Sequence, residues 1–449
     1  MSWSIQELVL SITSLGHSGE GVGHLDGYTI FVDGALPGEI VKVLLYECHK
    51  SYGRANLLEI IQPSPNRTTP VCPLFGKCGG CQLMHLSYSE QLFEKQKRVD
   101  EALKRIGKLN VSVEPCLPSP LQLHYRNKIQ LPVKQSINGP YTGLYARSSH
   151  DLVKVDHCHI HNLIGEEIYQ KIKELLSSSN IEPYDDQKKT GELRSILIKS
   201  SVNLGEVLVV LVTKSNYVKN LHNFAQKIMS SSTLIKGVTQ NINGNTGNAV
   251  LGSQYKLLCG SMYIRECLSD LYFHISPASF FQVNTGQAEQ LYQKALEISC
   301  LDGSESILDA YCGVGTLSLY FARHCKKIVG VECVPEAIKD AKENALLNNI
   351  HNAKFICAFA EDYIKNIQVI DLIILNPPRK GCEKTLLERI KKINPKKIIY
   401  VSCNPSTLAR DLAILHAFGY TIEIVYPFDM FPQTAHVECL VKLTANCNH

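Results

Sequence analysis

No run of the chain reaches the roughly 18 consecutive apolar residues that a membrane-spanning helix needs. The opening MSWSIQELVL carries an acid and no basic stretch, which does not fit a secretory signal. Low-complexity tracts are missing as well. Nor is charge of one sign in excess. Forty-six Lys and Arg face 42 Asp and Glu, a formal net charge of +4, which permits a nucleic-acid partner without implying one. These absences predict a cytoplasmic protein with no membrane association.

What the chain has in quantity is cysteine. Seventeen of them, an odd number without an export signal, argue against a disulfide framework. Most are expected to be reduced thiols, and a few call for a metal site or a catalytic role. The 45% hydrophobic and 20% charged content is that of a folded protein, and 449 residues suggest roughly two to four domains.

Three segments read differently. Residues 1–63 alternate short β-like runs (ELVLSITSL, YTIFVDG, EIVKVLLYE, RANLLEII) with glycine turns, the pattern of a small OB-like β-barrel. Pro63, Pro65 and Pro70 mark a linker. Residues 64–272 begin with a cysteine cluster and a helix over Tyr88 to Lys108, whose charged face KQKRVDEALKRIGK is expected on the solvated surface, with RNA as the alternative partner. Strand-like stretches around one helix near Tyr217 to Ser230 then predict a mostly antiparallel α+β domain. Residues 273–449 alternate helices with apolar strands, which predicts a doubly wound, Rossmann-like parallel sheet whose last two strands pair antiparallel.

In this last segment the strand SESILDA runs into Tyr311-Cys312-Gly313-Val314-Gly315-Thr316 and a helix. Glycines there let a ligand approach the backbone at the carboxyl end of a strand. The next strand ends in Glu332, placed to accept two ribose hydroxyls. The third glycine of a dinucleotide fingerprint is absent, as is the lysine of a phosphate-cradling loop, so a nucleoside without phosphates fits best. S-adenosylmethionine is such a nucleoside.

Cys403 follows the apolar run KKIIYVS, on the same rim as the glycine loop. A thiolate that adds to C6 of uracil makes an enolate and so activates the otherwise weakly nucleophilic C5 toward a methyl donor. Afterwards a base must remove the C5 proton. Glu438 is the candidate and His436 its competitor. Asn376-Pro377-Pro378-Arg379, ending the strand DLIIL, offers an amide and two ring faces to a flipped base.

The motifs FQVN (from Phe281), DAYCGVGTLSL, GVE, NPPRKG, SCNPSTLARD and DMFPQTAHVE, in this order, resemble those of the bacterial RNA uracil-5-methyltransferases that carry an N-terminal TRAM domain. The resemblance implies that Gln282, Tyr311, Glu332 and Asn376 line the S-adenosylmethionine site, that Cys403 is the nucleophile and that Glu438 is the base. Many relatives have aspartate where this chain has Asn376; the position is read as a hydrogen-bonding group, for which an amide suffices.

Cys72, Cys78 and Cys81 supply three thiols and Cys158 a fourth, with Cys116 as the alternative. Their chemistry suits zinc or an iron-sulfur cluster equally; the resemblance implies a [4Fe-4S] cluster, assigned here to folding and RNA docking. RNA loops are the expected partner, gripped with the help of Arg126 and Lys128. By resemblance the substrate is 23S ribosomal RNA, with tRNA as the alternative. Two rival readings remain. N-methylation would leave Cys403 idle, and a non-catalytic RNA-binding module is hard to reconcile with an intact nucleophile and base.

Overall fold

In the computed structural model, which describes residues 5–147, 149, 151–245, 247 and 249–446, alternation of inward apolar and outward polar residues closes the first segment into a barrel. Its strands are β1 (Gln6–Leu15), β2 (Gly21–Leu25), β3 (Tyr28–Asp33), β4 (Ile40–Cys48) and β5 (Tyr52–Gln62), in the order β1-β2-β3-β5-β4. Leu10, Ile12, Ile30, Val32, Val41, Val43 and Leu45 fill its interior, as the period of two requires.

A loop carrying the first three clustered cysteines leads to α1 (Tyr88–Ala102). The central sheet has the order β12-β11-β10-β9-β6-β7-β8. Its strands are β6 (Lys128–Ser136), β7 (Gly139–Tyr145), β8 (Leu152–Lys154), β9 (Leu193–Ser200), β10 (Val207–Thr213), β11 (Ile235–Ile242) and β12 (Gln254–Gly260). The sheet is antiparallel except for the β10–β11 pair, which α3 (Leu221–Ser231) connects. A second helix, α2 (Leu163–Leu176), was not expected. Its signal is present: Asn162 caps Gly165, and Ile168, Ile172 and Leu176 recur every four residues and are buried.

The hairpin of β13 (Ile264–Leu268) and β14 (Leu271–Ile275) straddles the expected division at residue 272 and packs into the core of the last segment. There follow α4 (Thr285–Ser299), β15 (Ser306–Asp309), α5 (Thr316–Ala322), β16 (Lys327–Glu332), α6 (Pro335–Leu347), β17 (Ala353–Cys357) and α7 (Ala360–Tyr363). Then come β18 (Leu372–Leu375), α8 (Lys384–Ile393), β19 (Lys397–Ser402), α9 (Pro405–Ala417), β20 (Tyr420–Phe428) and β21 (Glu438–Ala445). The sheet order is β17-β16-β15-β18-β19-β21-β20. The first five strands are parallel, and β21 runs antiparallel to both its neighbours. Every residue of β18 is buried, because helices cover both faces of such a sheet. Strand order reverses between β15 and β18, so the crevice at their carboxyl ends is the expected ligand site. Among the described residues no helix is long and apolar enough to cross a membrane.

Candidate active site

The sheet ladder itself brings Cys403 and Glu438 together. Ser402 pairs with Cys439 across β19 and β21, so the next residue of one strand meets the preceding residue of the other. Glu438 is 3% exposed; burial raises its carboxyl to about 8, against a downward pull from Arg379. Burial also raises the half-buried Cys403 thiol, the Glu438 charge adds to this, and Arg379 opposes both. One guanidinium therefore favours the ionised form of both groups. From the sequence, Arg379 has no role of its own. Its backbone is anchored by Asn404 Nδ2 and Thr407 Oγ1, which donate to the Arg379 carbonyl at 3.1 and 3.2 Å.

Tyr311, Glu332 and Asn376 stand at the carboxyl ends of the neighbouring strands β15, β16 and β18, while Gln282 lies outside that sheet, ahead of α4. Gly313 and Gly315 turn the chain with φ of +53° and +82°, and a Cβ on Gly315 would lie 2.9 Å from the Phe355 ring, so a side chain there would collide with the sheet. Tyr311 hydroxyl donates to Glu361 Oε1 at 3.0 Å. Glu332 Oε1 accepts from the Cys333 and Val334 amides at 2.8 and 3.1 Å, which holds the carboxylate at the strand end. Asn376 leaves β18 half-buried. Gln282 is buried, its carbonyl accepting from Asn127 Nδ2 at 2.9 Å. Asp309 was not singled out in the sequence. Ser318 hydroxyl donates to its Oδ2 at 2.6 Å, while its Oδ1 is buried without a partner among the described residues. Burial raises this carboxyl to about 6. A glycine cradle, a ribose-type acid and an orphaned buried acceptor fit a cationic nucleoside such as S-adenosylmethionine.

Helix α1 departs from its expected place on the solvated surface. One face buries Gln91, Glu94, Lys95 and Val99 and ties down the 429–436 loop that precedes Glu438. Lys95 forms a buried ion pair with Asp429 and donates to Phe431 O at 3.1 Å. Gln91 donates to Gln433 Oε1 and accepts from Gln433 N, each at 3.1 Å, and Arg98 donates to Ala435 O. The Gln82 and Leu83 amides both reach Gln433 O, at 3.0 and 2.9 Å. Gln433 thereby holds a φ of +69°, a left-handed conformation that a non-glycine residue keeps only when its surroundings over-determine it. His436 competes poorly as a base: desolvation and the nearby Arg379, Arg98, Lys95 and His17 lower its imidazole to about 4.

Cys72, Cys78, Cys81 and Cys158 line one cavity of about 330 Å³, and Arg379, Phe431, Thr434 and His436 line the same cavity. The thiols are thus neighbours of the Cys403 rim despite their distance in sequence. Among the described residues no three His, Cys, Asp or Glu side chains are close enough to hold a single metal ion. Cys116 lies elsewhere, buried beside Lys95 and Asp429, where burial raises its thiol to about 12. Arg126, expected toward RNA, lines the cysteine cavity and donates through Nε to Lys128 O at 3.0 Å. Lys128 is half-buried, and burial with the neighbouring Arg126 charge lowers its ammonium.

Residues 87–446 match the family model described as tRNA (Uracil-5-)-methyltransferase, and residues 5–58 match the TRAM domain. An uncharacterized RNA methyltransferase of Listeria innocua is 43% identical over 444 residues, 98% of each chain. One from Halalkalibacterium halodurans is 41% identical over 440 residues, 97% of this chain and 96% of that protein. The crystal structure of Pyrococcus abyssi tRNA (uracil-54, C5)-methyltransferase in complex with S-adenosyl-L-homocysteine is similar to this chain. It aligns with a TM-score of 0.78 and 30% identity, covering 97% of this chain and 100% of that one.

Proposed function

The chain belongs to the S-adenosylmethionine-dependent RNA (uracil-5-)-methyltransferases with a TRAM domain, and from that premise we propose that Cys403 and Glu438 methylate C5 of a uridine through a covalent adduct. The observation that carries this reading is their adjacency at one sheet edge, with Arg379 acting on both. The Cys403 thiolate adds to C6 of the flipped base, and the electron pair of the C5–C6 double bond moves toward O4 as an enolate. When bound, S-adenosylmethionine supplies a sulfonium methyl group to C5. Glu438 takes the C5 proton, the double bond re-forms and the thiolate leaves. Gln282, Tyr311, Glu332 and Asn376 are assigned to the methyl donor, with Asp309 added.

A [4Fe-4S] cluster held by Cys72, Cys78, Cys81 and Cys158 belongs to the same proposal, supported by four thiols around one cavity. It would cross-link the cysteine loop to the segment before α2. Anaerobically purified protein should be brown and contain iron and sulfide; a colourless protein carrying one zinc overturns it.

The proposed RNA is 23S ribosomal RNA. The solved Pyrococcus abyssi enzyme favours tRNA as the second reading. Incubation of RNA containing 5-fluorouridine with the methyl donor should trap a protein-RNA adduct that Cys403→Ala cannot form. An active wild type that traps nothing defeats the mechanism. Mapping 5-methyluridine in RNA from a deletion strain decides between the two RNAs.

A further inference from the structure

The barrel reaches the active-site rim through one turn. After β1 the chain bends at Gly16 to Gly19, where a Cβ on Gly19 would lie 2.9 Å from Gln82 Cβ and 3.3 Å from Ala435 Cβ. Arg147 Nη2 donates to Ser18 O at 2.9 Å and Ser18 N donates to Glu20 Oε2 at 2.8 Å, fixing the turn. His17 is thereby set against Arg98, whose Nη2 donates to His17 Nδ1 at 2.6 Å. With Nδ1 an acceptor, the ring proton sits on Nε2.

Positive charge exceeds negative at this point, with Lys95, Lys97, Arg98 and Arg105 against Glu94 and Glu101, and Glu20 acts on both His17 and Arg98. The ion pairs here among the described residues are Lys95 with Asp429, Lys97 with Glu94, Arg105 with Glu101 and Arg147 with Glu20. Arg98 and Arg379 are in none of them. Burial and Arg98 lower the His17 imidazole, with a smaller downward push from Arg379, while Glu20 pulls it up. A cavity of about 220 Å³ opens between barrel, α1 and the first turn of α9, lined by His17, Arg98, Arg105 and Ser406 and also by Glu94 and Glu101, which pair with Lys97 and Arg105. Pro405 and Ser406 follow directly on Cys403-Asn404.

We infer that this cavity is a phosphate subsite, in which His17 of the barrel and Arg98 of α1 hold a phosphodiester of the RNA strand beside the uridine entering the Cys403 pocket. The inference rests on the uridine-methylation reading. A nucleotide swung out of its stack carries its flanking phosphates to the pocket mouth, and guanidinium with an imidazole N–H matches phosphate oxygens. The barrel then completes the active-site rim, which a remote RNA handle would not do.

His17 is exposed, so substitutions there test the subsite in the intact protein. His17→Glu should weaken binding of a substrate RNA at least tenfold and lower the slope of log affinity against log salt by about one phosphate contact. His17→Lys should restore both, with affinity for S-adenosylmethionine and thermal melting unchanged in each. A single methylphosphonate beside the target uridine should weaken wild-type binding but not further weaken that of His17→Glu. Wild-type affinity and salt slope in His17→Glu, or strictly additive losses with the methylphosphonate, overturn the subsite. Adduct trapping by the wild type reports on the chemistry separately, so failure of one reading is distinguishable from failure of the other.

Discussion

Cys403 and Cys81 are both half-buried thiols, yet their surroundings prepare them for opposite chemistry. Cys403 has a guanidinium on one side and a buried carboxyl on the other. Cys81 has burial and three further thiols, Cys158, Cys78 and Cys72, all of which raise its pKa, with only Arg126 opposing. A thiol beside a cation can ionise and attack; a thiol among thiols ionises when a metal centre takes the charge. Arg379 touches both regions, lining the cysteine cavity while it pulls on Cys403. The 429–436 loop, held by α1, contributes Phe431, Thr434 and His436 to the cysteine cavity.

Removing the attacking group should have the largest effect. Cys403→Ala is expected to lower methyl transfer by about 10⁴-fold or more, whereas on the cluster proposal Cys81→Ser should lose iron and thermal stability first. Equal loss of iron in both variants would erase the distinction. Glu438→Gln should slow turnover by about 10²- to 10⁴-fold and accumulate the methylated adduct. It should also change the pH dependence of stability. With a folded value of about 8 against an ordinary value of 4.5, the native state holds this proton more tightly than the unfolded chain does. That contribution is complete below the unfolded value and is lost as pH rises through about 8, so the glutamine variant should gain on the wild type between pH 5 and 9, on the order of a few kcal/mol.

Lys95→Met leaves Asp429 buried without its partner and should cost about 3–5 kcal/mol of stability, seen in urea unfolding. Replacing both residues with apolar ones should recover most of that. If the double variant is stable but slow, α1 orients the 429–436 loop and does more than support it. Arg379→Met removes the charge that lowers both the thiol and the carboxyl, so the alkaline shift of the kcat profile should accompany a loss of about tenfold. Asn376→Asp should change kcat by only a few-fold, because a hydrogen-bonding role is kept. A hundredfold gain would show that the amide impairs Cys403.

Legibility followed the local character of each signal. The alternation in β1 to β5 and the buried runs of β18 and β19 are visible in a few residues, and so was the placement of Cys403 and Asn376 at strand ends. Helix α1 was read as a helix but misplaced. Its basic face looks solvated because Lys95 and Arg98 are charged, and their partners, Asp429 and the Ala435 carbonyl, lie more than 330 residues away. Arg379 lies in the NPPRKG motif, where the sequence shows no role for it, since a guanidinium acquires one only from what it faces. Asp309 passed as an ordinary strand residue because an unpartnered oxygen is a property of packing.

The amino-acid sequence by itself determined the N-terminal barrel, the methyltransferase sheet and the methyl-donor class, because periodicity, turn residues and motif order are properties of neighbouring positions. Only the tertiary structure decided that the four clustered cysteines share a cavity with Arg379 and His436, and that α1 and the barrel turn reach the same rim. Those are facts of distance and desolvation, created when strands far apart in the chain are laid side by side and water is removed between them.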